Sequence, residues 1–177
     1  IAMGLWAEER KSGTLELLLT QPVTLWQAVL GKFFAAWTFL ALALALSFPM
    51  WITVNWLGEP DNGVILASYL GSLLMAGAFL AIGGCLSAAT RSQVLAFILG
   101  VLVCLLFLLA GFPLALDPLR PLLSQGAIDA VSALSFLTHF NAILRGVLDL
   151  RDVLYFLLTI VAWLVATVLV IEIRKAD

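Results

Sequence analysis

Few side chains in this sequence are of types that carry out chemistry, and the first of them are two adjacent glutamates. Glu8 and Glu9 lie in a charged stretch near the start of the chain. Paired glutamates also occur in intramembrane metalloproteases, where an arginine would be expected at the position of Gly13. The chain has a single histidine and so lacks the histidine pair that would hold a metal ion. We therefore expect no metalloprotease site.

The other candidates are His139 and two cysteines, Cys85 and Cys104. Both cysteines lie in apolar runs, so we expect small core residues, not a disulfide framework or a zinc site. His139 falls on the polar side of a predicted amphipathic helix, and no intramembrane acid stands nearby as a partner. The preferred interpretation is a hydrated surface histidine, with a ligand or proton relay as the alternative.

Nucleotide chemistry is not indicated either. There is no glycine-rich phosphate loop of the P-loop type, because Gly83 and Gly84 fall within an apolar stretch. We expect a chain that is not an enzyme by itself and needs no cofactor of its own. The net charge of −2 is too small to suggest nucleic acid as a partner.

The elements that position these residues follow from the composition. Hydrophobic residues make up 63% of the 177 and charged residues 11%, with a mean hydropathy of +1.13. Soluble domains carry about 25% charged residues, so a water-soluble globule is excluded. About 20 apolar residues span a bilayer. Four stretches qualify as spanning helices: 33–57, 64–88, 94–116 and 152–172. Thr24 and Gln27 predict a capping box that begins the first helix.

The distribution of cations predicts the topology. Lys and Arg fall mainly on the side that would then be cytoplasmic by the positive-inside rule. That side holds Arg10, Lys11, Lys32, Arg91, Arg174 and Lys175, against Arg120, Arg145 and Arg151 on the other. The C-terminal tail, 173–177, is therefore expected in the cytoplasm, and the turn from Gly58 to Gly63 outside.

Residues 117–151 are not expected to span. Prolines interrupt the chain, and apolar residues then recur every three or four positions: Ile128, Val131, Leu134, Leu137, Phe140, Leu144 and Val147. This pattern predicts one amphipathic helix that lies on the outer leaflet or dips into it as a re-entrant segment. Gly146 and Asp149 are expected to end it and to begin the last spanning helix.

The second spanning stretch is rich in small residues spaced by four. The set is Ser72, Ala76, Gly77, Ala81, Gly84 and Ala88. Small residues let helices approach closely in lipid. We prefer packing within the bundle over the alternatives, a subunit interface or a moving seam.

Within the predicted cytoplasmic coupling segment, 1–32, residues 7–32 carry the most informative pattern. A charged run is followed by a short helix-like run with leucines on one face, and then by Pro22 and a new helix start. This run is too short to span and is expected to lie along the cytoplasmic surface. From the residues alone, docking on a soluble partner and anchoring of the first helix are equally good interpretations.

The sequence from Ala7 to Thr20, followed by Pro22-Val23 and Gly31-Lys32-Phe33, resembles the coupling segment of ABC-2 type transporter permeases, especially the gliding-motility-like branch. The resemblance continues in 90–93, 135–140 and 145–156. It implies an all-α polytopic transmembrane bundle, with six helices in a full subunit and four in this fragment, which lacks the first two. Ile1-Ala2-Met3 would then be the tail of a missing helix.

The same resemblance implies function and partners. It implies a permease subunit that couples ATP hydrolysis by a separate ATP-binding subunit to export across a bacterial or archaeal plasma membrane, paired with a second permease copy or paralogue and surrounded by lipid. The implied ATPase contact comprises Glu8, Glu9, Arg10, Lys11, Ser12, Gly13, Thr14, Leu15, Glu16 and Leu18. The alternative is a non-transporting scaffold of a gliding-type assembly. The lack of intramembrane charge favours lipidic or amphipathic cargo over ions.

Overall fold

The computed structural model describes residues 2–12, 24–112, 125–146 and 148–175, and these are almost entirely helical, without a strand. The predicted all-α class is therefore confirmed. A short 3-10 helix, Ala2–Gly4, precedes the α-helices. These are α1 (Ala7–Ser12), α2 (Leu25–Ala45), α3 (Phe48–Leu57), α4 (Asn62–Ala89), α5 (Gln93–Leu109), α6 (Gln125–Ala133), α7 (Phe136–Leu144) and α8 (Leu150–Lys175).

Three segments of the described chain are long and apolar enough to cross a membrane: Leu25–Leu57, Asn62–Ala89 and Leu150–Ile173. The apolar helix α5 is shorter and ends at Leu109, before the position 116 expected from the sequence. The sequence explains this end, because glycine at position 111 is a poor helix former and Pro113 disfavours helical backbone at the residue before it.

Side-chain caps begin the long helices. The predicted capping box is present, since the Gln27 amide donates to Thr24 Oγ1 at 3.4 Å and the Thr24 amide donates to Gln27 Oε1 at 3.0 Å. At the start of α4, Asp61 Oδ1 accepts from the Gly63 amide at 2.8 Å. These contacts satisfy amides that have no partner within their own helix.

The first apolar segment, Leu25–Leu57, is interrupted between α2 and α3, and this break was not predicted from the sequence. Pro49 lies in the first turn of α3 and has no amide hydrogen to continue the helical ladder. Ser47 occupies the break. Its hydroxyl donates to the Leu44 carbonyl at 2.6 Å and lies 2.8 Å from the Tyr69 hydroxyl of α4.

Helix α4 is the centre of the bundle and contacts α2, α5, α7 and α8. Glycines mark the closest approaches. A Cβ atom built on Gly71 would lie 2.8 Å from Ile143 Cγ2 of α7, and one on Gly77 would lie 2.9 Å from Trp37 Nε1 of α2. Large apolar side chains of α2, α3 and α5 point outward instead, as expected for helices that meet hydrocarbon.

Candidate functional site

The charged N-terminal segment is anchored on α4 by Ser87. The Ser87 hydroxyl oxygen accepts hydrogen bonds from the backbone amides of Trp6 at 3.1 Å and Ala7 at 2.9 Å. These amides stand at the start of α1, where a helix offers them no partner of its own. Ser87 thus supplies from a different helix the acceptor that an N-cap residue normally supplies. All three residues are buried.

Lys32 ties the same segment to α2. Its ammonium donates to the Leu5 carbonyl at 2.9 Å, pairs with the Glu9 carboxylate and lies 4.0 Å from the centre of the Trp6 ring. One cation therefore makes a hydrogen bond, an ion pair and a cation–π contact with consecutive parts of the segment. The start of α1 is held against α2 and α4 together.

The two glutamates of α1 have different surroundings. Glu8 is exposed, whereas Glu9 is half-buried against Lys32. The Ser12 hydroxyl donates back to the Glu8 carbonyl at 3.0 Å. Glu8 is therefore the acid that presents its charge outward, and Glu9 acts within the chain. Of the other residues predicted at this contact, Arg10 and Lys11 are described by their backbone alone, and Gly13, Thr14, Leu15, Glu16 and Leu18 lie outside the described residues.

The predicted small-residue set lies along α4. Gly77, Ala81, Gly84 and Ala88 are buried, whereas Ser72 and Ala76 are half-buried. Gly77 faces Trp37 and Ile160, and Gly84 faces Leu5 of the N-terminal segment. The four buried members thus face neighbours within this chain, and the packing role assigned to the set stays a prediction.

The segment predicted as one amphipathic helix is two helices, so that prediction was wrong. The chain breaks at Leu134 and Ser135, where the Ser135 hydroxyl accepts from the Leu137 amide at 3.2 Å and begins α7. The break was missed because the apolar spacing runs through it without interruption.

The resulting hairpin of α6 and α7, hereafter the hairpin, enters the bundle. Phe136 is fully buried, with its ring centre 4.9 Å from that of Phe107 and 5.3 Å from that of Phe79. From there α7 runs back along α4 to Gly146, whose φ of +82° ends the helix. Gly146 and Asp149 were predicted to separate this segment from the last helix, and α8 does begin at Leu150.

His139 is buried, so the prediction of a hydrated surface histidine was wrong. It is 7% exposed, and its Nδ1 lies 2.6 Å from Oδ1 of Asp152, which is 6% exposed. Its Nε2 lies 2.9 Å from the Ala133 carbonyl, and its ring stacks on Tyr155 with centres 3.9 Å apart. The partner was not predicted because Asp152 lies in the first turn of α8, at the edge of the apolar stretch.

Comparison with known proteins decides the family. A family model described as ABC-2 family transporter protein matches residues 1–173. The chain belongs to the ABC-2 transporter family. This confirms the resemblance found in the sequence. No curated protein and no solved structure matches the chain.

In this ABC-2 family membrane protein the two polar clusters stand at opposite ends of the bundle. Thr167 of α8 lies beside Leu5, Trp6 and Lys32, whereas Asp152 lies in the first turn of the same helix. At 1.5 Å per residue, about 22 Å of helix separates them. The chain is a multi-pass membrane protein, and its described residues form a polar cluster at each end of the bundle.

Proposed function

We propose that this protein is the membrane subunit of an ABC-2 exporter, and that a separate ATP-binding subunit drives it through α1. Family membership supports the permease role. The position of α1 supports the contact, because this helix lies at one end of the bundle with Glu8 exposed on it. The sequence contains no P-loop of its own, which fits ATP hydrolysis on a partner.

The contacts of Ser87 and Lys32 connect α1 mechanically to the rest of the bundle. A force on α1 would reach α4 through Ser87 and α2 through Lys32, because both contacts hold the start of α1. Helix α4 in turn packs against α5, α7 and α8. A tilt of α4 would therefore move the neighbours that build a path between subunits. The other membrane subunit of the transporter is a second permease, either a copy of this chain or a paralogue. The end of the bundle that carries α1 faces the cytoplasm of a bacterial or archaeal cell.

The charge of Glu8 provides the test. Glu8→Lys replaces an outward acid by a base and should weaken docking of a partner with a complementary basic surface, since such charge pairs set association. The matched control is Glu59→Lys, which makes the same change at an exposed site in the turn before α4, at the opposite end.

Both variants would be purified with the complete transporter, and the ATPase recovered per permease would be measured. We expect loss of the ATPase from Glu8→Lys and wild-type recovery with Glu59→Lys, with both permeases monodisperse. Equal recovery in the two variants would show that α1 is a membrane anchor and not the ATPase contact.

A further inference from the structure

The buried charge at the far end of the bundle joins three helices. Asp152 belongs to α8, His139 to α7 and the Ala133 carbonyl to the end of α6. Tyr155 of α8 adds a second tie, because its hydroxyl donates to the Leu134 carbonyl. Together these contacts hold both arms of the hairpin against the start of the last helix.

Both ring nitrogens of His139 face oxygen acceptors, a carboxylate on one side and a backbone carbonyl on the other. Neutral imidazole has one N–H, so it can donate to one of the two. The imidazolium donates to both and carries the charge that pairs with Asp152. Only the imidazolium can therefore form both hydrogen bonds at once.

Each partner of the pair lines a cleft at the surface of the described bundle. A cleft of about 390 Å³ is lined by Asp152 together with Thr138, Asn141, Ala142, Arg145 and Asp149. A second cleft, of about 610 Å³, is lined by His139 with Asp149, Arg151 and Tyr155 among others. These are the ionisable groups facing the pair from α7, α8 and the connection between them. Asp129 of α6 is exposed, and α4 and α5 contribute no acidic, basic or histidine side chain.

We propose that the His139–Asp152 pair is a proton-controlled latch that holds the hairpin on α8. Loss of one ring proton leaves the remaining N–H with the carboxylate, which is the stronger acceptor. The lone pair of Nε2 then faces the Ala133 carbonyl, so the hydrogen bond that ties His139 to α6 is lost. Alkalinisation thus loosens α6 from α7 and α8, because the Tyr155 contact alone then remains of the two ties. The latch stands apart from ATP coupling and does not depend on α1.

Distances between spin labels on α6 and α8 test the latch. Labels would be placed at Ala130 and Val161, both exposed, in the full-length transporter in lipid nanodiscs with Cys85 and Cys104 replaced by alanine. The pH would be varied from about 5 to about 9. We expect one short distance at the acidic end, with its population falling at least about threefold at the alkaline end as a longer distance grows.

Three variants test whether the pH-dependent change in distance comes from the His139–Asp152 pair. His139→Arg keeps its charge throughout and should keep the short distance at alkaline pH. His139→Gln should show no pH response. Asp149→Asn removes a neighbouring acid that lines both clefts and should respond like the wild type. A wild-type distance that ignores pH would overturn the latch. So would a response that persists in His139→Gln or disappears in Asp149→Asn. If His139→Gln is not recovered folded, the wild type, His139→Arg and Asp149→Asn still decide.

Discussion

Replacement of Ser87 by alanine should loosen α1 from the bundle. The change removes the acceptor of the Trp6 and Ala7 amides, and both residues are at most 2% exposed, so water does not replace it easily. A buried donor left without its partner costs about 1 to 3 kcal/mol. If that cost falls on local opening of α1, the opening equilibrium rises about 5- to 150-fold.

Amide hydrogen exchange measures this opening directly, since exchange of a protected amide reports the free energy of local unfolding. Peptides covering residues 2–12 should exchange faster by that factor in Ser87→Ala. The matched control is Ser68→Ala in the same helix, where the lost hydroxyl donates to the Val64 carbonyl at 2.7 Å within α4 itself. It should leave residues 2–12 unchanged. Equal exchange in the wild type and both variants would refute the capping role of Ser87.

Two further predictions concern packing and topology. Gly77→Leu should lower the thermal midpoint of the purified protein, because a side chain there meets Trp37 and overpacking costs about 1 to 3 kcal/mol, whereas Gly31→Leu, with open space at its Cβ position, should not. Equal midpoints would contradict the close approach. In a background without Cys85 and Cys104, a cysteine at Asn62 should react with an impermeant thiol reagent outside intact cells and one at Ser92 should not. The reverse pattern would place α1 outside the cell.

The local features of this fold could be predicted from the sequence. The capping box at Thr24, the turn before α4, and the boundary at Gly146 and Asp149 each depend on neighbours within a few residues. Long apolar stretches likewise predict helices with little ambiguity. Such features are encoded where they occur, so one sequence suffices to find them.

The contacts between distant residues could not be predicted in the same way. Ser87 and Ala7 are separated by 80 positions, and nothing in the local pattern pairs a small-residue helix with a charged segment. The hairpin was missed because its apolar spacing continues through Ser135. A usable signal did exist for His139, since Asp152 and His139 are placed at the same end of the bundle by the predicted topology. Among the residues that the structure describes, Asp152 is the buried acid.

The most direct test of an ATPase-driven permease is ATP turnover by the complete transporter, compared between Glu8→Lys and Glu59→Lys. We expect ATP turnover to depend on the exposed acid of α1, so Glu8→Lys should lose the stimulation that the permease gives to its ATPase. Glu59→Lys should keep it. Wild-type stimulation in both variants would contradict the claim that α1 joins this membrane protein to its ATP-binding partner.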